Sequence, residues 1–121
     1  MNAEEIREFC LSFPGVTESF PFDDTSLVFK VMNKMFCLMS LGGNLSVSLK
    51  NRPEKVVGLQ EHYPFVLPAY HFNKIHWLRV EIDYATPSNL LRLWIRESYE
   101  IVVEGLSKKL KEELKNIQEN D

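Results

Sequence analysis

The sequence predicts an α+β fold: an antiparallel sheet, built as a meander plus a further strand, with N- and C-terminal helices packed on one side. Three observations carry that prediction. Apolar residues recur at helical spacing near both ends of the chain. The span 27–50 holds three β-rich runs separated by turn signals, and a further alternating run follows at 76–83. The length of 121 residues, with 45% hydrophobic and 26% charged residues, suits one folded unit, so residues 1–121 are taken as a single domain.

Residues 3–12 form the first predicted helix. Ile6, Phe9, Cys10 and Phe13 share a face, while Glu4, Glu5, Arg7 and Glu8 share the other. The early acids suit the positive end of the helix dipole. Pro14-Gly15 ends the helix, and 16–24 is expected as a loop whose Phe20 and Phe22 rings tuck against the core.

Leu27 to Met32 is apolar and β-branched, a first strand, with Asn33-Lys34 as a two-residue turn. Met35 to Leu41 is almost wholly apolar, as in a central strand covered on both faces. Gly42-Gly43-Asn44 is a turn. In the third strand Leu45, Val47 and Leu49 alternate with Ser46, Ser48 and Lys50, giving one buried and one wet face.

Pro53 suits the first turn of a short helix, with Asn51 or Arg52 near its cap and Val56, Val57 and Leu59 on its buried side. Residues 63–68, with two prolines, are expected as loop. From His76 to Asp83, Leu78, Val80 and Ile82 point one way and Trp77, Arg79, Glu81 and Asp83 the other, making a fourth strand.

The last third is helical. Thr86-Pro87 supplies a capping hydroxyl and a proline at the first helical position. Leu91, Trp94, Ile95, Tyr99, Val102 and Leu106 form the apolar stripe, and Gly105 breaks the helix. Ser107 caps a final helix in which Leu110, Leu114 and Ile117 face inward.

Net charge is −3, but its distribution is uneven. Residues 1–24 carry six acids and one base, residues 25–80 carry seven bases and two acids, and the remainder is acidic again. A basic segment inside an acidic protein is where a polyanion would be met. No apolar run approaches a membrane span, and the polar, acidic first residues are unlike a signal or transit peptide. The expectation is therefore a cytoplasmic protein with no membrane partner, a monomer or weak dimer. Cys10 and Cys37 fall inside apolar patterns and are expected as buried, reduced thiols.

With these residues in hand, the chain resembles the MmcQ/YjbR family. The landmarks are Phe13-Pro14-Gly15-Val16-Thr17-Glu18 followed by Phe20-Pro21-Phe22, Leu27-Val28-Phe29-Lys30-Val31 leading to Lys34-Met35-Phe36, and Ser48-Leu49-Lys50 with Pro53-Glu54. The run Tyr70-His71-Phe72-Asn73-Lys74-Ile75-His76-Trp77 and Ser98-Tyr99-Glu100-Ile101-Val102-Val103 complete them. Ile75 stands where the family often has a second basic residue, and Leu78-Arg79 where it commonly has small polar ones. The resemblance implies a fold similar to CyaY and a "double wing" arrangement described as DNA-binding.

The run from Tyr70 to Trp77 is the densest in chemistry. Tyr70, Phe72 and Trp77 offer π-faces, Lys74 a charge, Asn73 an amide, and His71 and His76 titratable rings. Aromatics interleaved with bases suit nucleic acid, because rings stack on bases and cations neutralise phosphates. Lys30, Lys50, Arg52, Lys74, Trp77 and Arg79 are the candidates for DNA binding, with Lys55 as an extension. The alternative is a protein-interaction or small-ligand module whose pocket uses Tyr70, His71, Asn73, His76 and Trp77. Against both stands a plain architectural role, in which Tyr, His and Asn side chains hold a loop by bonding backbone groups.

Enzyme and metal chemistry are the weaker expectations. His71 or His76 has the chemistry of a general base, and Asn73 or Lys74 that of an oxyanion or phosphate holder. No catalytic residue is assigned, because no Ser, Cys or Asp stands in a nucleophile motif. His62, His71 and His76 lack ligand spacing, and Glu4, Glu5 and Glu8 suit a solvated helix face, so no metal and no cofactor are expected.

Overall fold

The computed structural model of the chain describes residues 1–120. Among these, four helices and six strands follow in the order α1 (Ala3–Leu11), β1 (Val16–Ser19), β2 (Ser26–Val31), β3 (Lys34–Ser40), β4 (Ser46–Lys50), α2 (Pro53–His62), β5 (Val66–Pro68), β6 (Trp77–Glu81), α3 (Ser88–Glu104) and α4 (Lys108–Asn120). The strands form one antiparallel sheet in the order β1-β2-β3-β4-β6-β5. Helices cover one face, with α3 crossing β2, β3 and β4. The α+β architecture expected from the sequence is the one observed.

The core lies between sheet and helices. Leu27, Phe29, Val31, Cys37, Met39, Val47, Leu49, Leu78 and Val80 point from the strands into a layer closed by Ile6, Cys10, Leu91, Trp94, Ile95 and Val102. Cys10 and Cys37 are buried, free thiols in this layer. The Cys10 thiol beside it, together with burial, pushes the Cys37 thiol well up, which leaves it inert. Phe13 stacks on Tyr99 at 4.6 Å, and the Tyr99 hydroxyl donates to the Pro14 carbonyl at 2.8 Å, so the end of α1 is tied to α3.

Several local expectations are corrected. Residues 16–19 form an edge strand rather than a loop, pairing Val16 with Val31, and 66–68 form the other edge, pairing Val66 with Val80. Both are short, four and three residues, which is why alternation is hard to see in them. Phe20 and Phe22 are exposed instead of tucked inward. The first hairpin turns at Met32-Asn33, one residue earlier than expected, with φ of 49° and 68°. Positive φ at both positions is the turn geometry that matches strand twist.

Helix ends differ as well. Asn2 caps α1 reciprocally with Glu5. Arg52 is the cap of α2 without a side-chain bond, and Val57 is exposed rather than buried. Thr86 does not cap α3, because its hydroxyl donates to the Glu81 carbonyl and accepts from the Asp83 N–H, closing the turn after β6. Gly105 does end α3, with an ordinary φ of −83°. In α4, Leu114 is buried, Leu110 half-buried and Ile117 about one-third exposed (37%).

Candidate nucleic-acid interface

The face of the sheet turned away from the helices is built by strand alternation. Residues that do not enter the core must point outward, and register then aligns them across strands. One row runs Ser19, Val28, Leu38, Ser48, Arg79, Leu67. To one side lie Ser26, Ser40, Ser46 and Glu81. To the other lie Lys30 on β2 and the pair Lys50–Trp77. Lys30 and Lys50 are separated by β3 alone, two strand spacings or about 10 Å.

Phe36 explains how this register arises. The β2–β3 pairing shifts between Phe29 and Lys30, so Phe36 lacks a partner on β2 and points to the core beside Cys37. A bulge of this kind re-aims the strand. Beyond it, Met35 pairs with Lys30 on the outer face.

The outer face is not flat. A trough of about 800 Å³ lies on it, floored by Leu38, Ser40, Ser46, Ser48, Arg79 and Glu81. One wall comes from the β1–β2 loop with Phe22, Asp23 and Thr25, the other from the β5–β6 loop with Ala69, Tyr70, His71 and Phe72. Ser46 and Ser48, expected on a wet face, are 5% and 6% exposed because these walls rise around them. The serine hydroxyls that bond within the described residues are those of Ser12, Ser26, Ser88, Ser98 and Ser107, so Ser40, Ser46 and Ser48 keep their bonding capacity for the trough.

Each wall has its own support. Asp23 accepts from the Thr25 N–H at 2.9 Å and from the hydroxyls of Thr25 and Ser26. The Thr25 N–H first, and then the Ser26 hydroxyl, hold its carboxyl below the usual range. On the other side Asn73 accepts from the Ile75 N–H at 2.9 Å, and its carbonyl takes the N–H groups of His76 and Trp77. Asn73 therefore shapes the loop. The His76 carbonyl accepts from the Asn51 N–H, tying the same loop to the start of α2.

The candidates named from sequence fall into three places. Lys30, Lys50, Trp77 and Arg79 share the outer face. Trp77 stacks on Phe72 at 4.9 Å and 21°, so one of its π-faces is already covered. Lys74 sits 5.0 Å over the Tyr70 ring at the outer end of the wall. Arg52 is separate: it pairs with Glu104 at 3.0 Å on the helical side, where Glu97, Glu100 and Lys55 also lie. Of the pocket candidates, Tyr70 and His71 line the trough, whereas Asn73 and His76 stand behind its wall. Sequence reasoning missed Phe22, Asp23, Ser46 and Ser48; the alternation of Ser46 and Ser48 with Val47 and Leu49 was the available signal.

Arg79 is the central charge of the floor. Its Nη2 reaches Glu81 at 3.5 Å, and its Nε is buried without a hydrogen-bond partner among the described residues. A buried donor of that kind calls for an acceptor. No helix among the described residues is long and apolar enough to cross a membrane.

Comparison with known proteins agrees with this architecture. The YjbR family model matches residues 11–101. The chain is 37% identical over 107 residues to the uncharacterized protein YbdF of Escherichia coli O157:H7, covering 88% of each. It is 30% identical over 104 residues to the uncharacterized protein YjbR of Escherichia coli K12, covering 85% of this chain and 88% of that protein. Among solved structures, the Deinococcus radiodurans protein DR2400, of domain DUF419, superposes with a TM-score of 0.87 at 37% identity, over 93% of this chain and 87% of that one. A Pseudomonas syringae protein shares the fold at 22% identity, with a TM-score of 0.73 over 84% of this chain and 98% of its own.

Proposed function

The chain belongs to the YjbR family, and from that premise we propose that it binds nucleic acid through the outer face of its sheet. One observation carries the reading. Lys30, Lys50 and Arg79 come from three strands yet converge on a single face, with Trp77 paired to Lys50 and Tyr70 rising beside them. Cations for phosphates beside rings for bases are the two ingredients such a surface needs. Lys74 extends the basic rim, while Arg52 is held by Glu104 and takes no part.

The reading takes DNA as the partner, the cytoplasm as the site of action and a monomer or weak dimer as the working form. Two free, buried thiols suit a reducing compartment. A titration at low salt with duplex and single-stranded oligonucleotides tests the proposal. Binding that weakens steeply with salt supports it; absence of binding to either probe rejects it.

A second reading rests on the trough. Its volume of about 800 Å³ is that of a small-molecule site, which typically encloses 300–1,000 Å³. Under this reading the protein is a ligand-binding module with Tyr70 and His71 in the wall and Asn73 and Trp77 holding that wall in place. Saturable binding of a free small molecule, unaffected by oligonucleotide, would favour it.

A further inference from the structure

We propose that the trough receives one unpaired nucleotide, so that the outer face selects single-stranded over duplex nucleic acid; this rests on the nucleic-acid reading. The first argument is width. The trough crosses β2, β3, β4 and β6, three strand spacings or about 14 Å, between raised walls. A duplex is wider than its own major groove of about 12 Å by the two backbones that border it, so it meets the walls before it reaches the floor. A single strand can lower one base between them.

The second argument is the chemistry of the walls and floor. Phe22 is 68% exposed and Tyr70 is 64% exposed, and both line the trough. The Phe22 ring and the face of Tyr70 turned away from Lys74, at the two sides of one concavity, are stacking surfaces for a planar ligand. Between them the hydroxyls of Ser46 and Ser48 can bond the polar edge of a base. The Arg79 guanidinium lines the trough with its side chain 35% exposed, and its terminal N–H groups donate to a phosphate oxygen or a base carbonyl.

The third argument is polarity along the strands. Lys30 and Lys50 mark one end of the outer face, and Asp23 and Glu81 the other. The phosphate is therefore placed toward the lysines. Carboxylates repel phosphate but accept from a base amino group, as they do from the amino group of cytosine. A nucleotide has this same asymmetry, an anion at one end and a donor-bearing ring at the other.

Fluorescence anisotropy at low salt, with three probes of equal length, tests the inference: a deoxycytidine strand of twelve nucleotides, an abasic strand of the same charge, and the corresponding duplex. The deoxycytidine strand is expected to bind at least about fivefold tighter than either of the others. Phe22→Ala and Tyr70→Ala are each expected to remove about fivefold from that strand and nothing from the abasic one. Both rings are exposed, so both variants keep the fold, checked by circular dichroism. Equal affinity for the abasic and the normal strand, or tighter binding of the duplex, overturns the trough while the nucleic-acid reading stands. Failure of all three probes to bind overturns both. Deoxycytidine monophosphate binding as tightly as the strand, with the same losses in the two variants, upholds the trough and overturns the strand as its source.

Discussion

The Ser98 hydroxyl, at the centre of α3, donates to the backbone carbonyl of Phe36, the bulged residue of β3 that lacks a partner on β2. The same oxygen accepts from the Lys50 N–H at 2.9 Å. One helix side chain thus closes the gap that the bulge opens between β3 and β4, beside the strand end where Lys30 and Lys50 face outward by plain alternation along β2 and β4. Ser98→Ala leaves a buried carbonyl and a buried N–H unpaired, at a cost of about 1–3 kcal/mol. Urea unfolding should show a lower midpoint with an unchanged slope.

Tyr99 gives a pH-dependent prediction. Burial raises its phenol above the ordinary value near 10. Above that pH the unfolded chain loses the proton while the folded protein keeps it, so stability falls as pH rises. Tyr99→Phe removes the 2.8 Å bond to Pro14, costing about 1 kcal/mol at neutral pH. The gap between wild type and variant should narrow above about pH 10 in urea titrations; a constant gap would contradict this.

Asp23 responds at the other end of the scale. Its carboxyl is lowered by the Thr25 N–H and then by the Ser26 hydroxyl. Its support for the β1–β2 loop is therefore present above the unfolded value near 3.9 and lost as pH falls through the lower folded one. The Thr25 amide resonance should titrate with a midpoint below about 3.9, and Asp23→Ala should abolish that titration and loosen the Phe22 wall.

Gly15 has φ of +72°, and a Cβ placed there meets Leu114 Cδ1 at 2.7 Å. Its carbonyl also accepts from the Met32 N–H. Gly15→Ala should destabilise by about 1–2 kcal/mol from backbone strain. Because the Leu114 methyl can swing aside, Gly15→Ala should cost as much in a Leu114→Ala background as in the wild type; a smaller cost there would show that the methyl contact dominates.

The salt response separates the cations. With Lys30, Lys50, Lys74 and Arg79 on phosphates of a single strand, the slope of log K against log salt should be about −3. Lys50→Ala should reduce its magnitude by about 0.7. Arg52→Ala should leave it unchanged, since Arg52 is already paired with Glu104 on the helical side. An equal change for both would place the nucleic acid elsewhere.

Long elements with strong periodicity were legible in the chain itself. The stripe from Leu91 to Leu106, the alternation of Leu78 and Val80, and the landmarks that mark the family are properties of sequence spacing, which the backbone geometry of helix and strand turns into faces. Local patterning was also enough to locate a basic segment at 25–80 and the dense run at 70–77. Edge strands of three or four residues carry too little pattern to be seen, and the positive φ of Met32 is imposed by hairpin twist rather than by residue type.

Tertiary structure decided the rest, because register and loop placement are long-range properties. Ser46 and Ser48 look solvated by alternation, yet loops some twenty residues away on either side wall them into a trough. Arg52 and Lys50 are two residues apart, yet the step from β4 into α2 sends one to Glu104 and leaves the other beside Trp77. Sequence alone determined which side chains carry charge and rings. Only the folded sheet decided which of them share a face, since a shift of one residue in strand pairing turns every side chain to the opposite side.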